Sequence, residues 1–296
     1  IIAAREEVVN SGLVTPKVAR FFQNIEAYGN PYRELRGNRG RWAEGMGIET
    51  YNGQEFLFYV GCVGSFDEKG QRVAQAVGRL LLKAGVSFGI LGPAEECDGN
   101  EIRILGENRI FEMLKDRNTA FFQKAGVKKI ITLSPHAYNV FRNEYPDSFE
   151  IFHYTQVLRD LIKGGRLKPA SKLNTKVTYH DPCFLGRHSE EYEAPREILR
   201  AIPGVELVEM ERNRQNSFCC GGGSGNFYTD SFGGGEDSPS RIRVREADKT
   251  GAGILAVACP TCAVMLGEAI KDEGIEERLI VKDISELIEF QGHSTH

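Results

Sequence analysis

The chain has 296 residues, enough for one large domain or two modest ones, with 37 basic against 41 acidic residues and a net charge of −4. Mixed charge of this kind argues against a nucleic-acid groove or a polybasic membrane patch, and no apolar run nears the ~20 residues of a membrane span. Seven cysteines are an odd number in a chain too large for a disulfide-stapled secreted scaffold. A reducing, cytoplasmic setting is therefore expected, with thiols kept for metal or redox chemistry.

Residues 1–50 read as a helical connector. "REEVVNSGLVTPKVARFFQNIEAYGNP" gives helices broken at Ser11–Pro16, and "RELRGNRGRWAEGMGIE" is irregular. The sequence opens on Ile1 rather than Met, and a connector of this kind is expected to join an upstream module. From residue 51 the signals alternate between strand and helix. Residues 51–168 give the strand "EFLFYVG", the helix "EKGQRVAQAVGRLLLKAG", the strand "VSFGILG" and a helical stretch over 100–126. The strand "KKIITLS", a helix from Pro135, and the segments "FEIFHYT" and "QVLRDLIKGG" complete this half.

Residues 169–296 repeat the pattern. The strand "TKVTYHD", the helix "APREILRAI" and the strand "VELVEME" lead into a glycine-rich loop. After it come the helix "SPSRIRVREADKTG", the strand "AGILAVA", the helix "CAVMLGEAIKDEG", the strand "RLIVKDI" and the helix "SELIEF". The expected fold is a duplicated α/β unit with mainly parallel strands and right-handed crossovers, two pseudo-symmetric halves behind a helical connector.

Superposing the halves sorts the cysteines. The gap from Cys62 to Cys97 holds 34 residues, and that from Cys183 to Cys219 holds 35. "EECDGN" then lies over "SFCCGG", with Asp98 opposite Cys220. "LSPHAYNVF" lies over "ACPTCAVML", which sets Ser134 opposite Cys259 and Ala137 opposite Cys262. The second half thus carries five thiols, Cys183, Cys219, Cys220, Cys259 and Cys262, while the first keeps two of the five positions. All lie at or just beyond the carboxyl ends of predicted parallel strands, where open α/β sheets bind ligands.

Thiolates are soft ligands that suit zinc and iron–sulfur clusters. Cys259 and Cys262 form a C-x-x-C at a strand-to-helix turn, where the helix N-terminus lowers thiol pKa. Cys183 and the adjacent Cys219–Cys220 pair approach from neighbouring loops. Gly221, Gly222 and Gly223 permit positive φ and bring backbone amides close to an anionic centre. Alone, the C-x-x-C also fits a thioredoxin-like pair or half a zinc site, but tetrahedral zinc takes four ligands and five are present.

At these residues the sequence resembles the cysteine-rich CCG domain. That domain occurs in B/D-type subunits of heterodisulfide reductases and in their relatives encoded beside electron-transfer flavoproteins. "TYHDPCFLGRH", "APREILRAIPGVELVEM", "NSFCCGGG" and "GAGILAVACPTCAVML" carry the resemblance, and "YGNPY…RGRWAEGMGI" resembles the segment that follows a ferredoxin-like module. It implies one [4Fe–4S] cluster, non-cubane in the heterodisulfide reductases, ligated by Cys183, Cys219, Cys220, Cys259 and Cys262, with Gly221 and Gly222 beside it. It also implies an iron–sulfur oxidoreductase, working within a complex, with catalytic roles for Cys183, Cys219, Cys220 and His180. Electrons would pass between a ferredoxin-like module or flavoprotein, with further ferredoxin-type clusters upstream or on a partner, and a disulfide, thiol or quinone-linked acceptor. Membrane association would come through such a module or partner. Relatives carry a second cysteine set in the first half; Asp98, Ser134 and Ala137 depart from it.

Other residues admit more than one reading. Cys62 and Cys97 are vestigial thiols, a redox disulfide, or part of a metal site with Asp98 and His136. His136 otherwise caps or packs a helix start. His180 and Asp181 precede a cluster cysteine and suit a role behind the ligands; His180 is also read as a proton donor or a structural strand-end histidine. Arg187 and His188 read as polar loop residues, either solvated or near a substrate or partner, and Gly233–Gly235 as a loop before the helix at Ser238. A structural or docking protein holding zinc or a spectator cluster is the competing reading of the whole chain.

Overall fold

In the computed structural model, residues 1–169 and 172–289 are described. They contain eight strands: β1 (Phe56–Tyr59), β2 (Phe88–Gly89), β3 (Lys129–Thr132), β4 (Glu150–His153), β5 (Thr175–Tyr179), β6 (Val205–Val208), β7 (Ile254–Val257) and β8 (Ile280–Asp283). They form two four-stranded sheets, β2-β1-β3-β4 and β6-β5-β7-β8, and every pairing is parallel. The register equates the halves residue by residue. Phe58 pairs with Ile131 in the first sheet, as Tyr179 pairs with Ala256 in the second, which is the alignment that the cysteine spacing predicts.

All-parallel sheets bury both faces, and these strands are accordingly rich in apolar residues. One hydrophobic core runs through both halves. It gathers Phe58, Val77 and Leu81 from the first, Val177, Ile198 and Ile254 from the second, and Tyr154 and Leu158 between them. A second core lies on the outer face of the first sheet and a third on that of the second. The helix Glu68–Lys83 shows how one element enters the shared core. Asp67 caps it by accepting from Lys69 N and Gly70 N, and Val73, Val77, Leu80 and Leu81 form its buried stripe.

Several local features differ from the sequence expectation. The segment "VSFGILG" pairs only through Phe88–Gly89 and a single bridge from Ile90 to Thr50. A side chain at Gly89 would meet the Tyr51 backbone at 2.6 Å, so close approach of two chains shortens the strand. The helical stretch 100–126 is two helices, Asn100–Ile104 and Asn108–Lys124. They break at Gly106, whose φ is +89° and whose bare Cα lets the backbone of Arg5 and Glu6 pack against it. An unpredicted short helix, Gly61–Phe66, carries Cys62. The last helix covers Ile284–Glu289; Phe290, expected in it, lies outside the described residues.

Residues 1–50 contribute directly to this architecture. Phe21, Phe22 and Ile25 of the helix Pro16–Tyr28 enter the outer core of the first half. Trp42 enters the shared core and meets Phe58 edge-on at 5.9 Å. No described helix is long and apolar enough to cross a membrane.

The halves are also joined by a buried polar contact. Tyr154 donates its hydroxyl proton to the Asp283 carboxylate at 2.8 and 2.9 Å, and Ser285 donates to the same group from its amide and hydroxyl. Burial raises the Asp283 carboxyl to about 7, outweighing these donors. The folded protein therefore prefers a neutral Asp283, and this contribution to stability is complete at low pH and lost as pH rises through about 7. Relative to Asp283→Asn, the wild-type protein should lose up to about 1.4 kcal/mol per pH unit between roughly pH 4 and 7. Unfolding midpoints of both proteins across pH 5 to 8 check this; parallel curves would refute it.

Candidate metal centre

The sheet order β6-β5-β7 sets three loops side by side at the strand carboxyl ends. Cys183 lies in the turn after β5, and Cys219 and Cys220 in the loop after β6. Cys259 stands just before the helix Pro260–Asp272, whose first turn carries Cys262. All five thiols are free. Cys262 Sγ donates to Cys220 Sγ at 3.3 Å, and further hydrogen bonds link Cys183 with Cys219, Cys219 with Cys220, and Cys259 with Cys262.

The charge state of this set is uneven. Cys219 is held far below the usual thiol range by hydrogen bonds from the Cys183 and Cys220 thiols and from Gly221 N at 3.3 Å. Burial opposes ionisation of Cys259, yet hydrogen bonds from Cys262 and His136 hold it well below that range. Cys183, Cys220 and Cys262 are pushed up as the proton-holding partners. Five buried or half-buried sulfurs that already share protons in this way form a donor set for a thiolate-ligated metal centre.

The glycines serve the same loop. Gly221 has a φ of +84°, and a side chain at Gly222 would meet Thr261 at 2.8 Å and the Cys220 sulfur at 3.7 Å. Asn226 Nδ2 donates to Gly221 O at 2.9 Å and pins the turn.

Buried arginines hold the loops together. Arg196, fully buried, donates through two nitrogens to Asp181 at 2.7 and 2.9 Å and through two to Glu209 at the same distances. Asp181 also accepts from Arg214 N at 2.8 Å, and its carbonyl accepts from Ser217 Oγ at 3.1 Å. Arg243, likewise fully buried, donates to Ser217 Oγ at 3.2 Å and to His180 Nδ1 at 3.1 Å. Since Nδ1 accepts, Nε2 carries the imidazole proton. Burial and the Arg243 charge push His180 down to about 3, so it is neutral. A neutral imidazole with Nδ1 accepting keeps one N–H, at Nε2. His180 Nε2 is buried without a hydrogen-bond partner. The ligating atoms of His180, Cys220 and Cys262 lie within 4.8 Å of one another, the one metal-capable trio among the described residues. An orphaned N–H beside converging sulfurs fits a sulfur-rich anionic group.

The first half builds no such set among the described residues. Ser134 caps the helix Pro135–Glu144 by accepting from His136 N at 3.1 Å, Ala137 is buried in the outer core, and Asp98 accepts from Asn100 N at 2.8 Å. Cys62, Cys97, Asp98 and His136 line one cavity but form no metal-capable trio among the described residues, and His136 is engaged by other partners. Its Nδ1 meets Glu101 Oε1 at 2.6 Å, and its ring hydrogen-bonds the Cys259 sulfur. Glu101 in turn accepts from Gly225 N behind the double-cysteine loop. His136 is thus a first-half residue serving the second-half cysteines, beyond the capping and packing role expected of it.

Phe184, next to Cys183, lies between His136 at 4.5 Å and His188 at 4.9 Å. Arg187, a polar loop residue in the sequence reading, donates to Ser217 O at 2.5 Å and ties the Cys183 loop to the Cys219 loop. Gly233–Gly235 lie in an exposed loop before the helix Pro239–Asp248, as expected. Sequence reading missed Arg39, Arg196, Arg243, Glu95, Glu101 and Ser217. The signal for two of them was present: Arg196 stands three residues from Leu199, and Arg243 four from Ala247, on buried helix faces.

The profile of the CCG cysteine-rich domain matches residues 56–142 and again residues 177–267. The chain belongs to the CCG cysteine-rich family. It is 40% identical to "Probable iron-sulfur-binding oxidoreductase FadF" of Bacillus subtilis, over 95% of this chain and 41% of that one. It is 36% identical to "EtfAB:quinone oxidoreductase" of Syntrophomonas wolfei, over 90% of this chain and 40% of that one. It is 31% identical to one of the subunits of the dihydromethanophenazine:CoB–CoM heterodisulfide reductase of Methanosarcina barkeri, over 97% of this chain and 71% of that one. The family is one of iron–sulfur oxidoreductases, and the chain spans about two fifths of the first two relatives.

The arginine staple gives a stability prediction. Asp181→Ala leaves Arg196 buried with half of its carboxylate partners and should cost about 3 kcal/mol. Glu206→Ala, which removes an exposed pairing with Lys176, should stay within about 0.5 kcal/mol. Urea denaturation of the two variants makes the comparison; equal losses would overturn the assignment.

Proposed function

We propose that Cys183, Cys219, Cys220, Cys259 and Cys262 bind one [4Fe–4S] cluster of the non-cubane type. On this reading the chain is the electron-transfer part of a heterodisulfide-reductase-type oxidoreductase. The observation that carries it is the unpartnered His180 N–H beside the sulfurs of Cys220 and Cys262, which hydrogen bonds link to the other three thiols. When bound, such a cluster supplies one-electron redox chemistry. The chain's own residues set the conditions for it. Arg243 fixes the His180 tautomer so that Nε2 keeps its N–H, Gly221 and Gly222 clear space for the loop, and His136 contributes a second donor at Cys259.

Donor and acceptor are read from chemistry and kinship together. The names of the relatives include a quinone, an electron-transfer-flavoprotein pair and a heterodisulfide, which supports a flavoprotein or ferredoxin-like module on one side. A disulfide, thiol or quinone-linked acceptor stands on the other. Association with a membrane would then come through that module or a partner.

Anaerobically purified protein should contain about four irons with matching sulfide, and Cys220→Ala should lose most of both. One zinc without sulfide would sink the proposal and favour a structural N/S site built on His180, Cys220 and Cys262. A second prediction concerns His180→Leu. It should retain iron and sulfide but lower the midpoint potential by tens of millivolts, because an N–H donor to sulfur favours the reduced state. Redox titration followed by electron paramagnetic resonance checks the shift; an unchanged potential would remove His180 from that role.

A further inference from the structure

The first half retains two thiols that the five-cysteine site does not use. Cys62 and Cys97 are buried, free and hydrogen-bonded to each other. Arg39, itself buried, donates to the Cys62 sulfur at 3.1 Å and to Glu95 at 2.7 Å. Both thiols line a partly enclosed cavity of about 40 Å³ between the halves. Asp98, Glu101 and His136 line it too, as do Gly222, Pro260 and Thr261 of the second-half loops.

Two plainer roles fit less well. Metal binding lacks a third ligand, since neither thiol joins a metal-capable trio among the described residues. Inert packing leaves unexplained why two sulfurs share a proton beside a guanidinium at the wall of a cavity. We propose that Cys62 and Cys97 form a two-electron thiol–disulfide couple, with Cys62 as the attacking sulfur and Cys97 as the resolving one. The charge state agrees with this order. A hydrogen bond from Cys97 and the charge of Arg39 hold Cys62 below the usual thiol value against burial, while Cys97 is raised.

The chemistry balances with a small disulfide R–S–S–R as oxidant. The Cys62 thiolate attacks one sulfur, forming Cys62–S–S–R and expelling RS⁻. Cys97 loses its proton to water and attacks the Cys62 sulfur, forming the Cys62–Cys97 bond and expelling the second RS⁻. The pair gives up two electrons and one proton in all, and the disulfide gains the electrons as two thiolates. Reversal by a dithiol returns both. The small cavity favours a compact disulfide over a bulky one. This goes beyond the proposed function because it uses only the chain's own thiols and holds whether or not iron is bound at the other site.

The test uses the folded protein as purified, treated anaerobically with 2-hydroxyethyl disulfide, then acid-quenched, alkylated and digested. The expected product is a disulfide-linked pair of peptides containing Cys62 and Cys97, reversed by dithiothreitol, with iron and sulfide content unchanged. Cys97→Ser should stop one step earlier, with a hydroxyethyl mixed disulfide on Cys62. Arg39→Met should slow that capture about tenfold. Absence of the linked peptides from folded wild-type protein would overturn the couple, even if Cys62 alone captures the reagent in Cys97→Ser. Because iron and sulfide are counted on the same sample, failure here is distinguishable from failure of the cluster assignment.

Discussion

Loops have no hydrogen-bond ladder to hold them, and the sulfurs of the five-cysteine site sit on loops or at a helix start. What fixes them is the buried pairing of a guanidinium with a carboxylate. Arg196 clamps Asp181 at the mouth of β5, and Arg243 spans His180 and Ser217, so the loops of Cys183 and Cys219 share one scaffold. Such pairs contribute little net stability against apolar replacements, but losing one member leaves a buried charge uncompensated. Their value here is geometric: they allow few arrangements of the loops other than the one that brings the sulfurs together.

The first half uses the same device with its parts exchanged. There the carboxylate is Glu95, two residues before Cys97, and it accepts from Val60 N at 3.1 Å and Gly61 N at 2.9 Å as well as from Arg39. In the second half the carboxylate is Asp181, at the position of Val60, and Ser217 stands at the position of Glu95. The charge has crossed from one loop to the other while the tie between them persists. Tyr59 occupies the place of His180, and its hydroxyl donates to Glu96 O at 2.6 Å. The corresponding polar atom is thus satisfied in the first half and orphaned in the second. This contrast sets the two halves apart at one equivalent position, because fold and register are shared.

The sequence carried the periodic features well. Apolar strand runs, the stripe of the helix Glu68–Lys83 and the equal cysteine spacings each depend on neighbours in the chain, so duplication and five-thiol convergence could be read without coordinates. What could not be read depends on contacts across long separations. Arg39 lies in an irregular segment with no period to place it, yet it reaches Cys62 and Glu95. His136 follows a proline at a helix start, where a cap is the ordinary reading, and nothing local says that its ring crosses to Cys259 in the other half. The break at Gly106 has the same origin, since the glycine answers to the backbone of residues 5 and 6 rather than to its own helix.

Ser134, Asp98 and Ala137, which lie opposite Cys259, Cys220 and Cys262, each have a local structural role in the first half. Ser134 caps the helix Pro135–Glu144, Asp98 accepts from Asn100 N in a local turn, and Ala137 packs its methyl in the outer core. Cys62 and Cys97 are the two positions at which both halves carry a thiol. Their polar surroundings, Arg39 and Asp98 above all, persist around a cavity that the other half's loops complete. Meanwhile Glu101 and His136 carry the influence of this half into the five-cysteine set through Gly225 and Cys259. The first half is therefore part of the electrostatics of the five-cysteine set in the second, in addition to the apolar core that the two share.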